Sequence, residues 1–308
     1  MRKLSLKDIY LTKSSKNYAG LENNKNSRYE IIGVPFDSST SYKPGTRFGP
    51  DAIRQAASGL ESNSYFSDIY LEDIGIIDEG DVGIVIGDIN ETLNRITGVI
   101  SDVIQENKIP IMIGGEHTIT YGSMRAFKKQ GITPCLIVID AHYDLRDEYL
   151  GLKNGHASVM RRSLELLGGT KINYIGVRAY SKEEKNYALS KNNINTIKPS
   201  DIYKVGLINA INSVKKFLVD CKHIYLSIDM DGFDPSYAPG VGNPEPGGIT
   251  NIEGLTIINQ IVDERLVGAD VVEVSPPYDQ GGITSSLAAK LINEIIMKNY
   301  ISLSKKNS

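Results

Sequence analysis

Six side chains of the kind that hold metal ions fall in three short motifs, each at the end of a hydrophobic run. They are His117 in "IMIGGEH", Asp140, His142 and Asp144 in "CLIVIDAHYD", and Asp229 and Asp231 in "IYLSIDMD". Four carboxylates and two imidazoles are too many for one ion and suit two. A pair of divalent metals roughly 3.5–4 Å apart clamps and activates a water, so the set predicts a hydrolytic enzyme. In "DAHYD" and "DMD" the ligands recur at every second residue, the spacing that sends side chains of an extended segment to one side. A lone HxD or DxD is an ordinary turn or cap; three such motifs, each behind its own apolar run, are not.

The elements that must position these residues alternate along the chain. Strand-like runs are expected at 29–34, 73–77, 109–114, 134–140, 171–178, 222–229 and 267–274. Helix-like segments fall between them, at 50–58, 90–106, 118–130, 206–219, 250–264 and 283–298. Leu93, Ile96, Ile100, Val103 and Ile104 share one helical face, and Thr250 with Glu253 forms a capping-box signal. The strands are near-continuous Val/Ile/Leu runs, as in parallel strands covered on both faces. This predicts a single three-layer α/β/α domain with a mainly parallel sheet. Residues 28–300 would form its core and 1–27 an extension, with the first 27 or so and the last 8 residues as loose ends. In open parallel sheets, sites form at the carboxyl ends of strands, where all three metal motifs begin.

Composition narrows the class. The chain has 308 residues, 41% of them hydrophobic, enough for a sizeable core. A net charge of −3 gives no general attraction for nucleic acid or an anionic membrane. No apolar run approaches the ~18 residues that span a bilayer, and the polar start "MRKLSLKDIYLTKSSKN" lacks the apolar stretch of a signal peptide. A cytoplasmic protein is expected. Cys135 and Cys221 lie far apart outside any CxxC pattern, and are read as buried free thiols in a reducing compartment.

The motifs together resemble the arginase/agmatinase ureohydrolase family, and agmatinases most closely. The likeness runs from about residue 29 to 298, through "GVPFDSSTSYKPGTRFGPDAIR", "DEGDV", "GGEHTIT", "IDAHYD", "SIDMDGFDPSYAPGVGNPEPGG" and "DVVEVSPPYD". It implies an arginase/deacetylase-like fold and hydrolysis of a guanidino compound. Asp140 and Asp229 would bridge two metals, His117 and Asp144 completing one site and His142 and Asp231 the other. Manganese is implied, and Asp/His sites without thiolate suit it. Glu273, in "VVEVSPP", would grip the guanidinium through charge-assisted hydrogen bonds. His156, in "KNGHASVM", would move protons, a task for which imidazole has the right pKa. Trimers or hexamers are the family's usual assemblies.

Other residues in these motifs are read as structural. His223 precedes a strand, Asp234 precedes Pro235 and suits a turn, and Arg47 suits structural or subunit contacts. Asp78 and Asp81 receive no chemistry. For the substrate, the loop "LRDEYLGLKNG" at 145–155 carries Asp147 and Glu148, which favour a cationic amine end. That leans toward agmatine, hydrolysed to putrescine and urea. Arginine, guanidinobutyrate and aminopropylagmatine are the alternatives within this chemistry. Outside it stand a single-zinc deacetylase, which needs one metal only, and a non-catalytic regulatory homologue, in which a ligand should have been lost.

Overall fold

The computed structural model describes residues 5–307. Among them, nine strands form one sheet: β1 (Leu11–Thr12), β2 (Tyr29–Val34), β3 (Ile77–Val82), β4 (Ile109–Gly114), β5 (Cys135–Ile139), β6 (Ile172–Ile175), β7 (Ile194–Ile197), β8 (Ile224–Asp229) and β9 (Leu266–Val272). Their order across the sheet is β1-β3-β2-β4-β9-β8-β5-β6-β7. All neighbours are parallel except β1, which runs antiparallel to β3. The central strands are as apolar as two-sided burial requires, with Ile111, Ile113, Ile139, Leu226, Ile228 and Val271 fully inaccessible. Hydrophobic clusters lie on both faces beneath the helices. This is the expected α/β architecture.

The crossing of the chain puts β4, β9, β8 and β5 side by side at the centre. Their carboxyl ends carry, in that order, His117, Glu273, Asp229 with Asp231, and Asp140 with His142 and Asp144. Four separate motifs thus meet at one rim, because adjacent parallel strands lie under 5 Å apart.

Helices appear near their expected places, at Gly49–Ala57, Ile89–Gln105, Ile119–Lys129, Leu207–Phe217 and Asn251–Ile261. The Thr250–Glu253 capping box is present in both directions. The strand expected at 73–77 is instead a helical turn, Leu71–Ile74, closed by Gly75 at φ 70, and β3 begins only at Ile77. Helices at Val159–Leu167, Lys182–Leu189 and Pro199–Val205, and strands β1 and β7, were not anticipated.

The ends of the chain are not loose within the described residues. Leu6–Tyr10 is helical, and Lys7 reaches Glu30, Glu79 and Glu106 at 2.9–3.0 Å. Tyr18 is wholly buried and donates to Asn293. The last helix runs unbroken over Ile283–Asn307.

The cysteines are a second correction. Cys135 and Cys221 form a disulfide, with their Cα atoms 6.0 Å apart. The sequence hides this because 86 residues separate them. In the sheet, the Cys135 N–H donates to the His223 carbonyl at the entry to β8, which draws Cys221 into bridging range.

Candidate metal centre and active site

A cavity of about 340 Å³ opens over the carboxyl ends of the central strands. His117, His142, Asp144, Asp229, Asp231, His156 and Glu273 are among the residues on its wall. The size suits a small substrate.

Two groups of side chains there could hold a cation each: His117, Asp140 and Asp144, and Asp140, His142 and Asp231. Asp140 belongs to both. His117 Nδ1 lies 3.2 Å from Asp140 Oδ2, 3.1 Å from Asp144 Oδ2 and 3.3 Å from Asp229 Oδ2. His142 Nδ1 lies 3.0 Å from Asp231 Oδ2 and 3.6 Å from Asp140 Oδ1. All six predicted ligands therefore converge. The backbone helps: the Asp140 carboxylate accepts the His142 N–H, and Asp229 accepts the Asp231 N–H, so each short motif curls back on its first residue. At Gly232 a Cβ would sit 2.8 Å from the Asp140 nitrogen, so glycine there lets the ends of β5 and β8 touch. Asp144 takes a left-handed backbone, φ 51, costly for a residue other than glycine and typical of functional positions.

Whether the site fits metal ions is decided by the hydrogens. Asp270 is buried and accepts from the Thr120, Tyr225 and Ser227 hydroxyls, the last at 2.5 Å. With its hydrogen spent on Asp270, the Ser227 hydroxyl must accept from His117 Nε2, 2.9 Å away. His117 Nδ1 faces three carboxylates, and although burial opposes it, Asp140, Asp144 and Asp229 raise the imidazole well above its ordinary value, so without metal Nδ1 holds a proton that a cation would displace. Nδ1 and Asp140 Oδ2 are buried polar atoms without a hydrogen-bond partner, at fully inaccessible side chains. Carboxylates crowded around an imidazole nitrogen fit a cation in place of that proton, and a carboxylate line behind a ligating imidazole is the usual support of such a site.

The electrostatics agree. Burial, then the neighbouring Asp140, push Asp144 up to about 7. Burial, then Asp231 and Asp140, raise Asp229 well above the carboxylate range. His142 is raised, although burial opposes it, because Asp231 and Asp140 surround it. Against its burial, Asp140 is held low by His117 and His142. Divalent cations would relieve this crowding.

Glu273 follows β9 at φ 65 and accepts the His117 N–H at 2.8 Å. Burial, then nearby Glu116, raise it well above its usual range. Its N–H in turn reaches the Gly115 carbonyl, where a Cβ on Gly115 would strike the Phe36 carbonyl at 1.9 Å. The glycine pair of "GGEH" is thus a close-packing requirement. His156 stands on the opposite wall in a short helical turn, His156–Ser158. Burial lowers its imidazole to about 4, so it is uncharged at neutral pH.

Residues set aside as structural are found in such places. Asp234 accepts the Ser236, Gly247 and Gly248 N–H groups in a turn. Arg47 pairs with Asp37 at 2.7 Å. Asp78 and Asp81 clamp the buried Arg54 guanidinium. The His223 backbone carbonyl receives the Cys135 N–H.

The acidic residues of the 145–155 loop lie away from the cavity. Asp147 is exposed and pairs with Arg162 at 2.6 Å, and neither it nor Glu148 lines the cavity. From that loop Arg146 and Tyr149 do, with the guanidinium stacked over the ring at 4.6 Å. The cavity's further carboxylates are Glu184 and Glu245, from distant parts of the chain. Sequence reasoning also missed Ser39, Glu116, Arg178, Ser227 and Asp270. Of these, Glu116 and Ser227 lay inside the ligand motifs and Ser39 and Asp270 inside other quoted motifs, while Arg178 lay outside them.

Residues 27–298 match the model of the arginase family. The agmatinase of Halalkalibacterium halodurans is 34% identical over 89% of this chain and 93% of its own length. The guanidinobutyrase of Pseudomonas aeruginosa is 36% identical over 86% of this chain and 84% of its own. Among solved structures, the agmatine ureohydrolase of Thermoplasma volcanium superposes with a TM-score of 0.85 at 37% identity, covering 96% of this chain and 98% of that one.

Proposed function

Because this chain belongs to the arginase family and is a hydrolase of guanidino compounds, we propose that it releases urea from agmatine, with manganese as the working metal. The observation that carries the reading is the meeting of six cation ligands with Glu273 and His156 around one small cavity. His117, Asp140, Asp144, Asp229, His142 and Asp231 would hold two ions.

The guanidinium carbon is a poor electrophile, since its charge is spread over three nitrogens. Divalent cations at this site would supply a water acidified enough to be a nucleophile at neutral pH. Glu273 receives the guanidinium through charge-assisted hydrogen bonds. The His117 N–H and the strained backbone fix its carboxylate. His156, uncharged before turnover, takes a proton and passes it to the leaving amine, which departs as urea forms.

Agmatine is favoured by the cavity's own carboxylates. Glu245 lies on the wall, 4.0 Å from His142 and free to meet a second ammonium. Glu184 adds to this, although Arg146 lies 3.8 Å from it. Arg146 favours a second reading, a guanidino acid such as guanidinobutyrate. Urea release from agmatine, arginine, guanidinobutyrate and aminopropylagmatine by Mn²⁺-loaded protein separates these. Preference for agmatine upholds the proposal, and preference for an acid transfers the role to Arg146. Silence with all four at two-metal occupancy sinks it.

We place the enzyme in the cytoplasm and expect a homo-oligomer, trimer or hexamer, to be read by light scattering. No helix among the described residues is long and apolar enough to cross a membrane. The Cys135–Cys221 disulfide is unusual for a cytoplasmic chain, so cell fractionation tests the location: recovery outside the cytoplasm overturns it.

A further inference from the structure

His156 is tied to the rest of the site through a serine and a buried glutamate. Glu116 follows β4 and is fully inaccessible. Three donors converge on its carboxylate: the Ser39 N–H at 2.7 Å, the Ser39 hydroxyl at 2.5 Å and the Thr118 hydroxyl at 2.6 Å. A hydroxyl has one hydrogen and two lone pairs. The Ser39 hydrogen is committed to Glu116, so its lone pairs must accept. Two His156 nitrogens face them, the backbone N–H at 2.9 Å and ring Nδ1 at 3.2 Å. Nδ1 therefore carries the ring hydrogen, as network logic assigns it. Nε2 is left as the proton-accepting atom, 3.4 Å from the hydroxyl of Ser41 on the cavity wall.

We propose that Ser39 and Glu116 are positioning residues for proton transfer, holding His156 as the Nδ1–H tautomer with Nε2 open to the substrate. The inference rests on the assignment of His156 to that step. It gains weight from the second carboxylate–serine–histidine line of the fold. Asp270 and Ser227 force the opposite tautomer on His117, freeing Nδ1 to ligate. One chemical device thus gives two imidazoles opposite polarity, each matched to its task. Ser39 comes from the loop after β2, Glu116 from the end of β4 and His156 from beyond β5.

The test is a double-mutant cycle on the Mn²⁺-loaded protein, reading urea release and bound metal. Ser39→Ala should lower kcat by about tenfold or more, part of the roughly 10²–10⁴-fold that acid–base catalysis contributes, with KM and metal content unchanged. Ser39→Thr, which keeps the hydroxyl, should restore most of that loss. In a His156→Ala background Ser39→Ala should cost nothing further, because both act through one group. Glu116→Gln should reproduce the Ser39→Ala profile and serves if that variant fails to fold. A fully active His156→Ala would remove the reading beneath. An inactive His156→Ala beside a fully active Ser39→Ala, additive losses, or loss of metal in Ser39→Ala would overturn this inference alone.

Discussion

At the scale of single residues, the site is a set of groups whose charges conflict until cations arrive. Asp144 shows it most plainly, held at about 7 by burial and by Asp140. A carboxyl raised above its unfolded pKa of ~3.9 binds more protons folded than unfolded between those values. Stability of the metal-free protein should therefore fall as pH rises from about 4 to about 7, and His142, raised by its carboxylates, continues the trend above neutrality. Mn²⁺-loaded protein should show no such fall, because the cations replace the protons. Thermal melts at several pH values, with and without chelator, check the opposite behaviours. Two substitutions separate ligation from chemistry: Asp229→Ala should lose metal and activity together, and His156→Ala should keep both metals while losing turnover. Metal analysis beside urea release reads both. The support behind His117 has its own signature, since Ser227→Ala should weaken metal binding about 10–100-fold without touching a ligand.

At the scale of elements, connections between strands decide more than the strands do. The Cys135–Cys221 bond ties the start of β5 to the segment entering β8, two strands whose far ends carry five of the six ligands. Closing an 86-residue loop removes about 4–5 kcal/mol of unfolded-state freedom in the chain-entropy picture. Reduction should lower the urea midpoint while leaving turnover intact, since the bond lies at the amino ends of the strands and the site at their carboxyl ends. Equal midpoints with and without reductant would show that the bond adds no stability. Arg178 acts at the carboxyl ends. Its guanidinium donates to the carbonyls of Asp231, Gly232, Phe233, Glu245 and Pro246, stapling the "DMDGF" loop to the loop that carries Glu245.

For the whole molecule, the parallel sheet works as a convergence device, and the cations complete it. Ligands come from three motifs spread over more than a hundred residues, so binding draws the central strands together. Anything that binds only the folded state stabilises it by mass action, about 2.7 kcal/mol at a hundredfold excess over Kd. Chelation should lower the melting temperature by several degrees, and Mn²⁺ should restore it. An unchanged melt on verified metal removal would mean that the strand ends are organised without the ions.

Much of this was legible in residue order because the relevant physics is local. Apolar runs of period-free Val/Ile/Leu specify two-sided parallel strands, and ligands every second residue specify one-sided presentation at their ends. His117, Asp140, His142, Asp144, Asp229 and Asp231 could be named as candidates from type and position alone, and Glu273 through the family resemblance. What depends on distance in the chain could not. The Cys135–Cys221 pairing, the burial of Lys7 among three carboxylates, and the outward turn of Asp147 away from the cavity each follow from which segments the fold sets side by side. The hydrogens that polarise His117 and His156 are decided in the same way, through Ser227 with Asp270 and Ser39 with Glu116. A serine in sequence has no direction; only its neighbours in space determine where its one hydrogen goes.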